Sequence, residues 1–68
     1  MRNENLISYR KKAGLTQSQL AEIAQITTRG YQMYELDGVL PNIVVAMKIA
    51  DALHTSVQQL WGCLLTTA

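Results

Sequence analysis

Thr28, Arg29, Gln32 and Met33 lie within one short stretch and have side chains suited to reading the edges of base pairs. The guanidinium of Arg29 can bond guanine O6 and N7 as a bidentate donor, and the Gln32 amide can pair with adenine or with a phosphate. Met33 suits a thymine methyl and equally suits a protein core. Thr28 can touch a base or cap a helix. Arg29 also has a plainer reading, as a phosphate-contacting or merely solvated arginine. Upstream, Lys11 and Lys12 could meet phosphates or simply favour the negative end of a helix dipole, and the dipole is the more economical account.

Other chemistries lack their residues. The single histidine, His54, and the single cysteine, Cys63, fall in or near the last helical segment without the spacing of a metal site or a catalytic pair. No glycine-rich phosphate loop occurs. The chain is therefore not expected to be an enzyme, and no cofactor or metal is expected. One cysteine excludes an internal disulfide; Cys63 reads as a small apolar filler in a reducing compartment. No apolar run has membrane-spanning length and the N-terminus lacks a signal-peptide stretch, so a soluble, cytoplasmic protein with no membrane partner is expected.

Five helical segments would position the candidate residues. Gly14 ends a first helix containing Leu6, Tyr9 and Arg10. Thr16-x-x-Gln19 is a capping box, in which hydroxyl and amide each satisfy a free backbone N–H. The second helix runs to about Ala24, with Leu20, Ile23 and Ala24 at helical spacing. Thr27 caps the third helix, in which Tyr31, Tyr34 and Glu35 recur at i, i+3 and i+4. That spacing turns Thr28, Arg29, Gln32 and Met33 outward. Asp37-Gly38 stops the helix. Pro41-Asn42 opens a fourth, whose expected inner stripe is Ile43, Ala46, Met47, Ala50 and Leu53. Ser56-x-x-Gln59 opens a fifth that includes Leu60. Residues 16–36 thus have the layout of a helix-turn-helix, whose second helix normally enters the DNA major groove.

Sixty-eight residues make one domain, spanning 1–68, with the C-terminal helix and tail at about 56–68. Aromatics are 6% with no Phe, so Leu, Ile, Val, Ala and Met must fill the core, which suits helices. Net charge is only +1, which argues mildly against nucleic acid, but its distribution is uneven. Arg2, Arg10, Lys11 and Lys12 face only Glu4 in the first twelve residues. Beyond them, Arg29 and Lys48 are outnumbered by Glu22, Glu35, Asp37 and Asp51.

The ordered series Arg10, Gly14-Leu15-Thr16-Gln17, Leu20-Ala21-Glu22, Ile26-Thr27, Tyr34-Glu35, Pro41 and Ile49-Ala50-x-Ala52-Leu53 resembles the lambda/434 phage repressor and Cro class, also called the Xre class, over roughly residues 5–61. The resemblance implies an all-α, compact five-helix lambda-repressor-like domain. It implies that Gln17 touches the DNA backbone. Thr16 and Gln17 open the second helix, whose unpaired N–H groups and dipole attract phosphate. It also implies that Arg10 and Glu35 form a structural salt bridge from helix one to the end of helix three.

The chain departs from that pattern in several places. Gln25 and His54 stand where the class often has a left-handed Gly, and Gly30 is unusual within a helix. For Gly30, close approach to DNA, close packing against helix two and drift in a weakly constrained sequence stay open. Ile23, Leu40, Val44 and Val45 replace polar residues, and Trp61, Leu64 and Leu65 make the C-terminus apolar. A homodimer through Val57, Leu60, Trp61 and Leu64 is expected, with the alternative that Trp61 covers its own core. The leading expectation is a sequence-specific regulator that binds double-stranded operator DNA through its third helix. The rival is a protein-interaction module on the same fold (antitoxin, anti-repressor or adaptor) that meets a protein partner through the apolar surface.

Overall fold

A computed structural model describes residues 2–65, without the side chains of Cys63 and Leu65; the expectations for those two side chains and for the tail 66–68 lie outside the described residues. Among the described residues there are five helices and no strand: α1 (Glu4–Lys12), α2 (Gln17–Ala24), α3 (Thr28–Leu36), α4 (Ile43–Ala52) and α5 (Val57–Leu65). Among the described residues no helix is long and apolar enough to cross a membrane.

Short polar residues start these helices by accepting a first-turn amide. Thr16 Oγ1 takes the Gln19 N–H, and the Gln19 side chain returns a bond to the Thr16 amide, so the capping box is complete. Thr27 takes Gly30 N–H, Asn42 takes Val45 N–H and Ser56 takes Gln59 N–H. Such caps are worth about 1 kcal/mol each. Gln25 ends α2 at φ 62°, and His54 follows α4 at φ 55°; both are left-handed without being glycine. The Gln25 side chain accepts a hydrogen bond from Lys48 Nζ, which ties this turn to α4.

α2 packs against both α3 and α4, while α1 packs against α5 and α3. The core between them is built from Leu6, Leu20, Ala21, Ala24, Tyr31, Val45, Ala46, Ile49, Ala50, Leu53, Leu60 and Trp61. Each large side chain among them contributes about 1.5–3 kcal/mol by leaving water. Trp61 Nε1 finds no acceptor among the described residues.

The structure corrects three expectations. The inner stripe of α4 is Val45, Ala46, Ile49, Ala50 and Leu53; Ile43 and Met47, placed inside by the sequence pattern, are 64% and 60% exposed. Val45, counted with the apolar surplus, is buried instead, while Ile23 is exposed. Leu60 and Trp61, expected at a dimer interface, are 0% and 1% exposed within the single chain. They fill the space between α1 and α4, so little of either is left for a second copy.

Asn3 is a structural residue that the sequence reading overlooked. Its Oδ1 caps α1 by accepting Leu6 N–H, its Nδ2 donates to Leu60 O at 2.9 Å, and its backbone N–H donates to Glu35 O at 2.7 Å. One buried side chain and its amide thus join the start of α1, the end of α3 and the middle of α5. An Asn three residues before Leu6 is a readable cap signal.

Candidate nucleic-acid interface

The helix-turn-helix frame is stiffened from within by Glu35. Its carboxylate is 1% exposed and takes donors from three helices. Arg10 Nε and Tyr31 Oη each lie 2.6 Å from Oε2, while Gln17 Nε2 lies 2.9 Å from Oε1. Arg10 also donates from Nη1 to Leu15 O at 2.9 Å, holding the loop that leads into α2. Burial pushes the Glu35 carboxyl up, but the hydrogen bonds from Arg10, Tyr31 and Gln17 outweigh it and hold the group below its usual range. Arg10 is pushed up by its hydrogen bond to Glu35. The Tyr31 phenol is pushed up by burial and by Glu35, so it stays a donor.

α3 carries Tyr31 and Glu35 inward, and its remaining residues divide into an outer face and an edge. Arg29, Met33 and Leu36 are exposed. Thr28 and Gln32 are half-buried at the edge beside α2, where Thr28 Oγ1 donates to Ser18 Oγ at 3.4 Å and Gln32 Nε2 donates to Gln17 Oε1 at 3.1 Å. Arg29, Gln32, Met33, Leu36 and Asp37 line one shallow groove along the helix. Asp37 therefore brings a carboxylate to the end of the surface that Arg29 starts.

The start of α2 adjoins this surface. The Thr16 hydroxyl and amide are both used by the capping box, which leaves the amides of Gln17 and Ser18 as first-turn donors without a helical acceptor. Lys11 and Lys12 are exposed in the last turn of α1, and Lys12 Nζ lies 5.7 Å from the centre of the Tyr9 ring. Both lysines sit at the carbonyl end of α1, where positive charge is favoured.

Of the readings made for Gly30, close packing against helix two is overturned. A Cβ built there would stand 3.1 Å from Thr27 Oγ1, the hydroxyl that caps α3, and would have no atom of α2 within 4 Å. Ser18 and the Gln17–Gln32 pair were not read from the sequence as linked elements. The spacing of Gln32 and Glu35, three apart on α3, was the available signal that a polar edge faced α2.

Beyond α3 the exposed surface turns apolar. Leu36, Val39, Leu40, Ile43, Val44 and Met47 are all exposed. Leu40, Pro41, Ile43, Ala46, Val57 and Trp61 line a groove of about 200 Å³ between the α3–α4 connection and α5. Among the described residues no cluster of metal-ligating side chains occurs.

The chain is 39% identical over 59 residues to the cryptic phage CTXphi transcriptional repressor RstR of Vibrio cholerae serotype O1 (strain ATCC 39315 / El Tor Inaba N16961). The match covers 87% of this chain and 53% of that protein, so the chain spans about half the length of that relative. No solved structure matches the chain. A family model described as helix-turn-helix matches residues 6–60, most of the chain and all of the frame built around Glu35, and the protein belongs to the helix-turn-helix family, not to an enzyme class.

Proposed function

We propose that this protein is a sequence-specific transcriptional regulator of the repressor/Cro type, acting in the cytoplasm and binding double-stranded operator DNA through α3. The observation that carries this reading is the exposed surface of α3, where Arg29 and Met33 face solvent beside a Gln32 held by α2. Family membership and the likeness to a phage repressor support it. In this reading Arg29 bonds guanine, while Thr28, Gln32 and Met33 complete the base contacts. Phosphates meet Gln17, the amides that follow Thr16, and Lys11 and Lys12. The protein binds as a homodimer, so that two copies of α3 enter successive major grooves. With Leu60 and Trp61 inside the core, the dimer contact passes to half-buried Val57 and Leu64 and to the exposed apolar residues around the Val57 groove.

Selection of bound sites from random duplexes, repeated with Arg29→Ala, tests the reading. The variant should lose discrimination at one G·C pair by about 1–3 kcal/mol. A uniform loss across all sites would instead make Arg29 a phosphate contact.

A second reading, a protein-interaction module on the same fold, is favoured by the apolar surface from Leu36 to Met47 and by Asp37 at the edge of the groove. Binding to random duplex over a salt series separates the two. Phosphate neutralisation gives a steep fall with added salt, whereas the interaction module binds poorly at every salt.

A further inference from the structure

The hydrogen bonds around Glu35 have a direction as well as a length. An ionised carboxylate is an acceptor only, and it is filled by Arg10 and Tyr31 on Oε2 and by Gln17 Nε2 on Oε1. A Gln17 turned the other way would set its carbonyl oxygen against a buried carboxylate oxygen, two acceptors face to face, so its amide has one orientation. Gln17 Oε1 then points away from Glu35 and accepts from Gln32 Nε2 at 3.1 Å. This bond orients the second amide in the same way. Gln32 is left with its carbonyl oxygen and one N–H, neither bonded within the described residues. Adenine offers the complementary pair in the major groove, an N6–H donor and an N7 acceptor.

We infer that Glu35 is a positioning residue for DNA reading: acting through Gln17, it fixes the amide orientation of Gln32 so that α3 presents an ordered donor–acceptor edge to adenine. The inference rests on the DNA-binding reading above and adds to it the base that Gln32 reads and the reason it reads it. A glutamine free to flip would offer both orders of donor and acceptor and discriminate less.

Glu35→Gln strands the Arg10 charge and lowers the stability of the whole domain, so Gln17→Met is the informative variant. It removes both amide bonds and keeps the Arg10–Glu35 pair. The first measurement is solvent exchange of the Gln32 side-chain amide protons by NMR on the free protein, with exposed Gln58 as internal reference. Gln32 should be protected in the wild type and exchange like Gln58 in Gln17→Met; equal exchange in both proteins overturns the relay. The second is site selection with the wild type, Gln17→Met and Gln32→Ala. One A·T position should be preferred by about tenfold in the wild type and by no more than about twofold in both variants. Gln17→Met should also bind all sites more weakly. A preference retained in Gln17→Met overturns the inference while leaving DNA binding intact. A wild type that binds no duplex at any salt overturns the DNA reading and this extension together, and a protected Gln32 amide tells that outcome from a failed relay.

Discussion

Glu35 concentrates the stability of the helix-turn-helix at one carboxylate. Its two oxygens hold Arg10, Tyr31 and Gln17, and the Arg10 side chain is itself only 13% exposed. Removing one partner of such a pair leaves a buried charge uncompensated, so Glu35→Ala should cost about 3–5 kcal/mol, read as a loss of Tm or of denaturant midpoint. An unchanged Tm would mean that Arg10 is rehydrated at no cost. The pH dependence follows from the same contacts. The folded carboxyl lies below its usual range, so its contribution is fully present above the unfolded value and is lost as pH falls through the folded one. Tm should therefore drop on acidification below about pH 4.5, near the unfolded carboxyl value, and Glu35→Gln should flatten that part of the profile. Arg10 and Glu35 were legible as a pair through the family resemblance. The link from Gln17 to Gln32 was not, because fifteen residues and a turn separate the two amides and only the packing of α2 on α3 brings them within 3.1 Å.

At the scale of the helices, starts were readable and faces less so. Caps are local: Thr16, Thr27 and Asn42 each act on an amide three residues ahead, so a short window of sequence contains the whole interaction. The face of α4 is not local. Ile43, Val44 and Val45 make its first turn apolar on every side, and more than one stripe satisfies helical spacing. α2 and α5 select Val45, Ala46 and Ile49 and leave Ile43 and Met47 outside. The turns after α2 and α4 hold Gln25 and His54 in the left-handed region, where a side chain costs roughly 1–2 kcal/mol. His54 is exposed, so His54→Gly should gain up to about 1 kcal/mol after the extra chain entropy of glycine is subtracted. That gain corresponds to a rise in Tm of roughly 4–8 °C. His54→Val should lower Tm, since β-branching suits the left-handed region poorly. A Tm unmoved by either substitution would show that the turn carries no strain.

Across the whole molecule, the uncovered apolar surface is the main feature that the core does not use. Six apolar side chains between Leu36 and Met47 are exposed, and an exposed apolar patch marks an interface where it is contiguous. In the proposed dimer this surface and the Val57 groove are where the copies meet. Sedimentation of the wild type should then show concentration-dependent association, and Ile43→Lys should abolish it. Because Ile43 is exposed, the stability of the folded chain should change by no more than about 0.5 kcal/mol. A wild type that stays monomeric at high concentration would overturn the dimer. By itself the sequence determined the five helices and the caps Thr16, Thr27 and Asn42, because each depends on neighbours a few positions away, while the Arg10–Glu35 pair of the frame came from the family resemblance. Only the tertiary structure decided that Trp61 belongs to the core, that Ile43 and Met47 face outward, that Asn3 ties three helices, and that Gln17 and Gln32 share one polarity. Those outcomes depend on which helices meet, and hydrophobic periodicity is blind to that choice wherever more than one face of a helix can be buried.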